Sequence, residues 1–413
     1  MKLVIVGGHL SPALAVIEAL PKSTQILFIG RKYGLEGDKA HSLEYQKITS
    51  LKIPFVDLPT GRVQRKFTRN TIPSLFKLPV GFYNAWRVLK DFKPDIVVCF
   101  GGYVQIPVAF AAFSMEVPII THEQTRKAGL ANRIIAPLAK RICISWEESS
   151  KYFPKSKTVL TGIPIRREFF KNTKAKIPPT PFNKGGGKMF TPIRKGGEEE
   201  FFNEGNIQRF PSLLKRGQGR FLIYITGGSS GAHAINMLIE GCIEKLLTKF
   251  NVIHQAGDAK EYGDFERLDK IRKSLPKELQ ERYKLVKFID PEVIARIMTG
   301  ADVVVTRSGA NTIAELIYLG KPCILIPLPH GQANEQLENA KFLQSLGIAK
   351  ILIQENLTSE ILYSQVVEFV AKLDSTKGMS NDARKFIKYN ASEKIVKIIS
   401  SFASKNNYEK AEG

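Results

Sequence analysis

Cysteine is scarce: the 413 residues carry four, Cys99, Cys143, Cys242 and Cys323. They are widely scattered and form no C-x-x-C pair, which argues against a structural zinc site and against a secreted disulfide framework. Long apolar runs are missing as well. No stretch reaches the roughly 18 to 20 apolar residues that a membrane-spanning helix needs. The opening Met1-Lys2-Leu3-Val4-Ile5-Val6-Gly7-Gly8 is followed by neither a long apolar run nor a small-residue cleavage site, so it reads as a first strand rather than a signal peptide. A cytoplasmic protein is the expectation. No carboxylate pair with metal-ligand spacing stands out, so neither a tightly held metal nor another cofactor is expected. Acidic side chains are the minority, 39 against 61 Lys and Arg, for a net charge of +22. That balance suits acidic partners such as nucleic acid, an anionic membrane face or phosphorylated substrates. With no helix-turn-helix, zinc-finger or aromatic RNA-binding signature, nucleic acid is the weakest of the three and is not expected as a partner.

What remains is a globular composition, 43% apolar and 24% charged, in a chain long enough for two domains. The first half alternates apolar strands (3–6, 25–29, 96–100, 118–121, 142–145) with helical patterns (12–20, 80–91, 104–113, 128–139), which means βαβ units and a parallel sheet. Glycine turns follow several of the strands. Gly7-Gly8-His9 permits close backbone approach to a ligand, and Pro12 suits the first turn of the next helix. His9 can serve there as a base, as a hydrogen-bonding group or as a capping and packing residue. Gly101-Gly102-Tyr103 repeats the arrangement. His122-Glu123-Gln124 follows another strand, either to meet a ligand or to order the loops. Between these elements Arg62, Arg65, Lys66 and Arg69 flank Phe67, and Leu75, Phe76, Leu78, Val80, Phe82, Tyr83 and Trp86 form an aromatic stretch broken by Pro73, Pro79 and Gly81. These side chains suit docking on an anionic bilayer or burial in the core. The Pro and Gly breaks are expected to prevent one long buried helix.

From Lys174 to Arg220 periodicity is lost in favour of Gly, Pro, Lys and Asn, with the repeat Pro181–Gly186 and Pro192–Gly197, and a disordered insert is expected. The α/β pattern then restarts. Strand 221–226 runs into Gly227-Gly228-Ser229-Ser230-Gly231-Ala232 and a helix over 232–249, where small residues let backbone N–H groups approach a pyrophosphate. Val303–Val305 reads as a buried strand, followed by Ser308-Gly309-Ala310 and a helix on which Glu315 lies one turn in, where a carboxylate suits a ribose diol. Gln336 and Asn339 offer amides to sugar hydroxyls. The expected fold class is therefore α/β: two doubly wound domains, 1–168 and 221–391, facing a cleft.

In their order and spacing, Gly7-Gly8-His9-Leu10-Ser11-Pro12-Ala13-Leu14, His122-Glu123-Gln124, Gly227–Ala232, Arg307–Glu315 and Gln336-x-x-Asn339 resemble the MurG-type peptidoglycan glycosyltransferases. The resemblance spans nearly the whole chain except 174–220. It implies a GT-B fold of two Rossmann-like domains, with the last helix, 392–405, packing back on the first domain. It implies inverting transfer of N-acetylglucosamine from UDP-N-acetylglucosamine to the C4 hydroxyl of N-acetylmuramate in lipid I, giving lipid II, at the anionic cytoplasmic face of the cell membrane. His9 is then the catalytic base. Thr125, Arg166, Ser229, Ile289, Ala310, Asn311, Thr312, Ile313, Ala314, Glu315, Gln336 and Asn339 meet the donor. Gly7, Gly8, Gly102, Tyr103, His122, Glu123 and Gln124 meet the acceptor and its diphosphate. The sequence departs from the family at three places. The first loop lacks three residues of Gly-Gly-Thr-Gly-Gly-His, Thr125 stands where Asn is frequent, and Ile163 stands where Asn is common. A UDP-N-acetylglucosamine 2-epimerase-like isomerase and a non-catalytic membrane-surface scaffold are the alternatives.

Overall fold

The computed structural model describes residues 1–33, 41–58, 71–174, 201–202, 221–228, 231–259, 262–329, 334–373, 379, 382–387 and 390–412. The chain divides into two compact units: one joins 1–166 to 388–413, and the other runs from 167 to 387. The low-complexity segment lies outside the described residues apart from its first residue, Lys174, and a two-residue strand, β8 (Phe201–Phe202), paired in parallel with β12 (Phe288–Ile289).

The first unit is a seven-stranded parallel sheet built from β1 (Lys2–Val6), β2 (Gln25–Gly30), β3 (Phe55–Asp57), β4 (Ile96–Cys99), β5 (Ile119–Glu123), β6 (Arg141–Ile144) and β7 (Thr158–Leu160), in the order β3-β2-β1-β4-β5-β6-β7. Leu3 to Val6 are wholly buried because both faces of β1 are covered. Successive side chains point to opposite faces. Val4 and Val6 join a core with Val97, Leu89 and Ala112, while Leu3 and Ile5 join one with Leu14, Val98 and Ile395. Each such burial contributes roughly 1.5–3 kcal/mol. The helices of this unit are α1 (Leu10–Ala19), α2 (Leu43–Ser50), α3 (Thr71–Phe92), α4 (Gln105–Ser114), α5 (Leu130–Ile135) and a C-terminal helix, Ala391–Glu412. Ile395 and Ile399 lie one turn apart and are fully buried, so the end of the chain completes a core begun by its first strand.

The second unit repeats the plan with β9 (Leu222–Thr226), β10 (Asn251–Gln255), β11 (Tyr283–Val286), β13 (Val303–Thr306), β14 (Cys323–Leu325) and β15 (Ala349–Ile351), ordered β11-β10-β9-β13-β14-β15, all pairs parallel. In each sheet the strand order reverses between two neighbours, β1 and β4 in one and β9 and β13 in the other. The crevice at the carboxyl ends of such strands is where α/β folds bind ligands.

Two expectations about helices are corrected. α3 is one continuous helix of 22 residues running through Pro79. Proline removes a single N–H from the ladder, and Pro79 itself is exposed, on the water-facing side of the helix. Conversely, the helix expected over 232–249 is two, His233–Glu240 and Ile243–Lys249. They part at Gly241, where a Cβ would lie 2.3 Å from Ser359 Oγ, so the chain bends around the start of the helix Ser359–Ala371.

Candidate functional site

In the first unit the turns after β1 and β4 meet at the switch point. Gly8 (φ +151°) packs so closely that a Cβ would lie 2.3 Å from Gly101 O, and Gly102 (φ +74°) would meet Gly8 Cα at 3.1 Å. Only glycine fits where two backbones cross this tightly. His9 is the N-cap of α1 yet makes no side-chain capping bond. A Cβ on Gly101 would lie 2.7 Å from its Cδ2, so the imidazole lies over that turn. Burial lowers the His9 pKa to about 4, which leaves the ring neutral and able to accept a proton at physiological pH.

His122 is fully buried next to this group. Its Nε2 lies 3.3 Å from Gly162 O and 3.2 Å from Ser145 Oγ. A carbonyl can only accept, so the proton sits on Nε2, and Nδ1 is a bare acceptor without a partner among the described residues. Burial, opposed by Gly162 and reinforced by His9, holds the His122 pKa at about 4. Gln124 is buried with its Oε1 likewise unpartnered among the described residues. Tyr103 packs against the core beneath.

Glu123 and Thr125 serve a different purpose. Glu123, 1% exposed, accepts from Thr125 N–H at 2.9 Å, Thr125 Oγ1 at 2.6 Å, Gly129 N–H at 2.8 Å and Asn132 Nδ2 at 2.9 Å. Asn132 Oδ1 in turn accepts from Gln105 Nε2 and Thr121 Oγ1, and Gln105 Oε1 accepts Gly101 N–H. The carboxylate is therefore the hub that ties the turn after β4 to the turn after β5. Of the two readings of His122 and Glu123, loop ordering describes Glu123. Gln105 was not among the residues singled out, and only its distant partners reveal its role. Arg166 is buried at the end of this unit.

In the second unit the turn after β9 opens with Gly227, where a Cβ would meet Ala232 N at 2.2 Å, and Gly228 (φ +90°), whose N–H donates to Thr226 Oγ1. Gly231 (φ +79°) has no room for a Cβ, since Ala256 O would lie 2.1 Å away. Ser229 and Ser230 are outside the described residues. Ala232 caps the following helix without a side-chain bond, so no capping side chain occupies its first-turn N–H groups. The turn after β13 is built the same way. Gly309 is the N-cap of the helix Ala310–Leu319, again with no side-chain cap. Asn311 and Thr312 are half-buried on the first turn, Ile313 and Ala314 are buried, and Glu315 is buried one turn in.

Ser308 Oγ donates to Gln336 O at 2.7 Å, and Asn339 Nδ2 donates to Ser308 O at 3.0 Å. Through Nδ2, Asn339 is thus a strut that holds the turn. Gln336 accepts Leu328 N–H at Oε1, and its Nε2 holds no partner among the described residues. Ile289 is buried at the end of β12, in register with Phe202 of β8. Among the described residues no group of three or more His, Cys, Asp or Glu could hold a metal ion.

Away from the turns, α3 leaves Val80 and Tyr83 each 57% exposed, with Phe82, and α4 leaves Phe110 and Phe113 exposed. Lys90 Nζ lies 4.7 Å from the Trp86 ring centroid. The side chains of 71–78 and the basic residues Arg62, Arg65, Lys66 and Arg69 fall outside the described residues. No helix among those described is long and apolar enough to cross a membrane.

Family models match both halves: the glycosyltransferase family 28 N-terminal domain over residues 6–144 and the C-terminal domain over 222–395. A Treponema denticola protein, 33% identical with 86% of this chain and 83% of that one covered, is named UDP-N-acetylglucosamine–N-acetylmuramyl-(pentapeptide) pyrophosphoryl-undecaprenol N-acetylglucosamine transferase. A protein of the same name from Acetivibrio thermocellus is 31% identical, with 97% of each chain covered. Among solved structures, Acinetobacter baumannii MurG superposes with a TM-score of 0.63 at 24% identity, covering 97% of this chain and 100% of that one. A UDP-GlcNAc 2-epimerase from Neisseria meningitidis reaches 0.64 at 14% identity with the same coverage, so the fold is shared beyond the transferases.

Proposed function

We infer the reaction from the premise that the chain belongs to glycosyltransferase family 28: it is a UDP-N-acetylglucosamine-dependent transferase that moves N-acetylglucosamine onto the lipid-linked N-acetylmuramyl-pentapeptide. The observation that carries this reading is the end-to-end match, through both units, to relatives named for that transfer. The epimerase alternative shares only the fold, at 14% identity.

In this reading the second unit holds the donor. The uncapped first turns at Ala232 and at Gly309–Ala310 face the diphosphate and the nucleotide, where helix N-termini stabilise the negative charge that develops on the leaving UDP. Glu315 takes the ribose hydroxyls and the Gln336 amide holds the sugar. Ser229, Ile289, Arg166 and the backbone at Ala310–Ala314 complete the donor contacts. The first unit receives the acceptor at Gly7, Gly8, Gly102, Tyr103, His122 and Gln124. The C4 hydroxyl of N-acetylmuramate attacks the anomeric carbon as the bond to UDP breaks, with inversion, and neutral His9 takes the hydroxyl proton. Glu123, Thr125 and Asn339 act through the backbone they hold. The exposed apolar side chains of α3 and α4, with the basic residues Arg62, Arg65, Lys66 and Arg69 preceding α3 in the sequence, rest on the anionic cytoplasmic face of the membrane.

The test is transfer of labelled N-acetylglucosamine from UDP to a lipid I analogue. A lipid-linked disaccharide is expected. Formation of UDP-N-acetylmannosamine without acceptor would instead support an isomerase, and binding without turnover a scaffold. His9→Ala at saturating donor and acceptor should lose most of kcat; full kcat would remove His9 from the role of base.

A further inference from the structure

The first βα turn is short: only Gly7 and Gly8 separate β1 from His9. A residue 36 positions further on completes it. Helix α2 is capped by Ser42, whose Oγ accepts Tyr45 N–H at 3.1 Å and donates to Arg31 O at 2.6 Å. This cap sets Glu44 against the ends of β1 and β2. One carboxylate oxygen accepts Gly8 N–H at 3.1 Å, and the other accepts Arg31 N–H at 3.4 Å. The slot exists only because Gly7 directly follows β1 and Gly30 ends β2. A Cβ on Gly7 would lie 2.0 Å from Glu44 Oε1, and one on Gly30 would lie 2.5 Å from Oε2. His9 is the next residue after the clamped N–H, and its ring, which makes no capping bond, packs over Gly101.

We propose that Glu44 is a positioning residue for the transfer reaction: by clamping Gly8 N–H it fixes where α1 begins and so where the His9 imidazole stands. The carboxylate also takes an N–H that a longer glycine loop would leave for the acceptor's diphosphate. Burial, opposed by the Arg31 and Gly8 N–H groups, raises the Glu44 pKa to about 6, consistent with a carboxyl enclosed in this slot rather than solvated. The inference rests on the assignment of His9 as base.

Full-length Glu44→Ala and Glu44→Gln decide it. Steady-state kinetics give kcat and both KM values, and NMR titration of labelled histidines follows the signal absent from His9→Ala. With the clamp lost, Glu44→Ala should lower kcat at least tenfold while the KM for UDP-N-acetylglucosamine stays within twofold. The His9 titration should move up toward the ordinary imidazole range as the ring gains solvent. Glu44→Gln, whose amide oxygen still accepts from Gly8, should recover most of both. An unmoved His9 titration in Glu44→Ala, a kcat within twofold of wild type, or a Gln variant no better than Ala would each overturn the proposal. Wild-type protein inert toward the lipid acceptor would refute the transferase reading alone, and the NMR titration would still decide on Glu44.

Discussion

Replacing Glu123 by Ala removes the acceptor of four hydrogen bonds, three buried and the one from Gly129 half-buried. Two donors have somewhere else to go. Thr125 Oγ1 can turn to Lys127 O at 2.5 Å, and Asn132 Nδ2 keeps His122 O at 3.2 Å. The Thr125 and Gly129 N–H groups lose their acceptor inside the protein. A buried orphaned donor costs about 1–3 kcal/mol, and the half-buried Gly129 N–H costs less than that, so the pair costs about 2–4 kcal/mol. For a unit of this size that lowers the melting transition by roughly 2–4 °C per kcal/mol. A fall near 10 °C is expected by calorimetry, and about half of it for Glu123→Gln, which keeps one oxygen and turns its amide NH2, itself a donor, toward two donors. UDP affinity, measured by isothermal titration calorimetry, should be unchanged, because every proposed donor contact except Arg166 belongs to the other unit, and Arg166 shares no printed hydrogen bond with Glu123. A Glu123→Ala protein that melts within about 1 °C of wild type would refute the reasoning. So would a Glu123→Gln protein of wild-type stability with collapsed kcat/KM, since that pattern belongs to a residue touching the acceptor.

Glu315→Ala should raise the donor KM roughly ten- to hundredfold, the worth of a charge-assisted hydrogen bond to a ribose diol, and an unchanged KM would contradict that role. Stability should also depend on pH in a defined direction. His9 and His122 titrate near 4 and His254 near 3 in the folded state, all lowered by burial from 6.5. They cost nothing above pH 6.5, and the unfolded chain binds more protons as pH falls toward 4, so stability drops across that window. Glu44, raised from 4.5 to about 6, works the other way: its stabilisation is full below 4.5 and is lost as pH rises through 6. Urea midpoints at pH 7.5, 5.5 and 4.5 should therefore fall overall, and Glu44→Gln should steepen the fall between 6 and 4.5; a flat profile would contradict the buried histidines. Tyr83→Glu with Phe113→Glu should weaken binding to anionic vesicles with turnover on a soluble acceptor analogue retained, whereas unchanged sedimentation would remove α3 and α4 from the membrane face.

The sequence carried the skeleton of both sheets because buried parallel strands are unbroken apolar runs. The strand Ile96–Cys99 and the strand Val303–Thr306 are wholly buried and read plainly. The short strands Phe55–Asp57 and Thr158–Leu160 did not, since they sit at the sheet edges, only partly buried. Glycine turns were legible for the same reason that they work: close backbone crossing admits nothing else. What stayed hidden was the direction in which a polar side chain faces. Glu123, Thr125 and Asn339 follow buried strands or line the turn, as ligand contacts do, yet each turns inward to the backbone. Glu44 was invisible for another reason, since its partners Gly8 and Arg31 are far from it in the chain.

The two halves cannot be finished in the order in which they are synthesised. The core lined by Leu3 and Ile5 is closed by Ile395 and Ile399, while residues 167–387 form a unit of their own. At about 5–20 residues per second, a ribosome needs on the order of 10–40 s to add the roughly 220 intervening residues. During that time the second unit can fold, but the first waits with one apolar face open. Nascent chains are therefore most vulnerable to proteases and to aggregation late in translation. A stop codon ahead of Ile395 would damage the half of the protein encoded first.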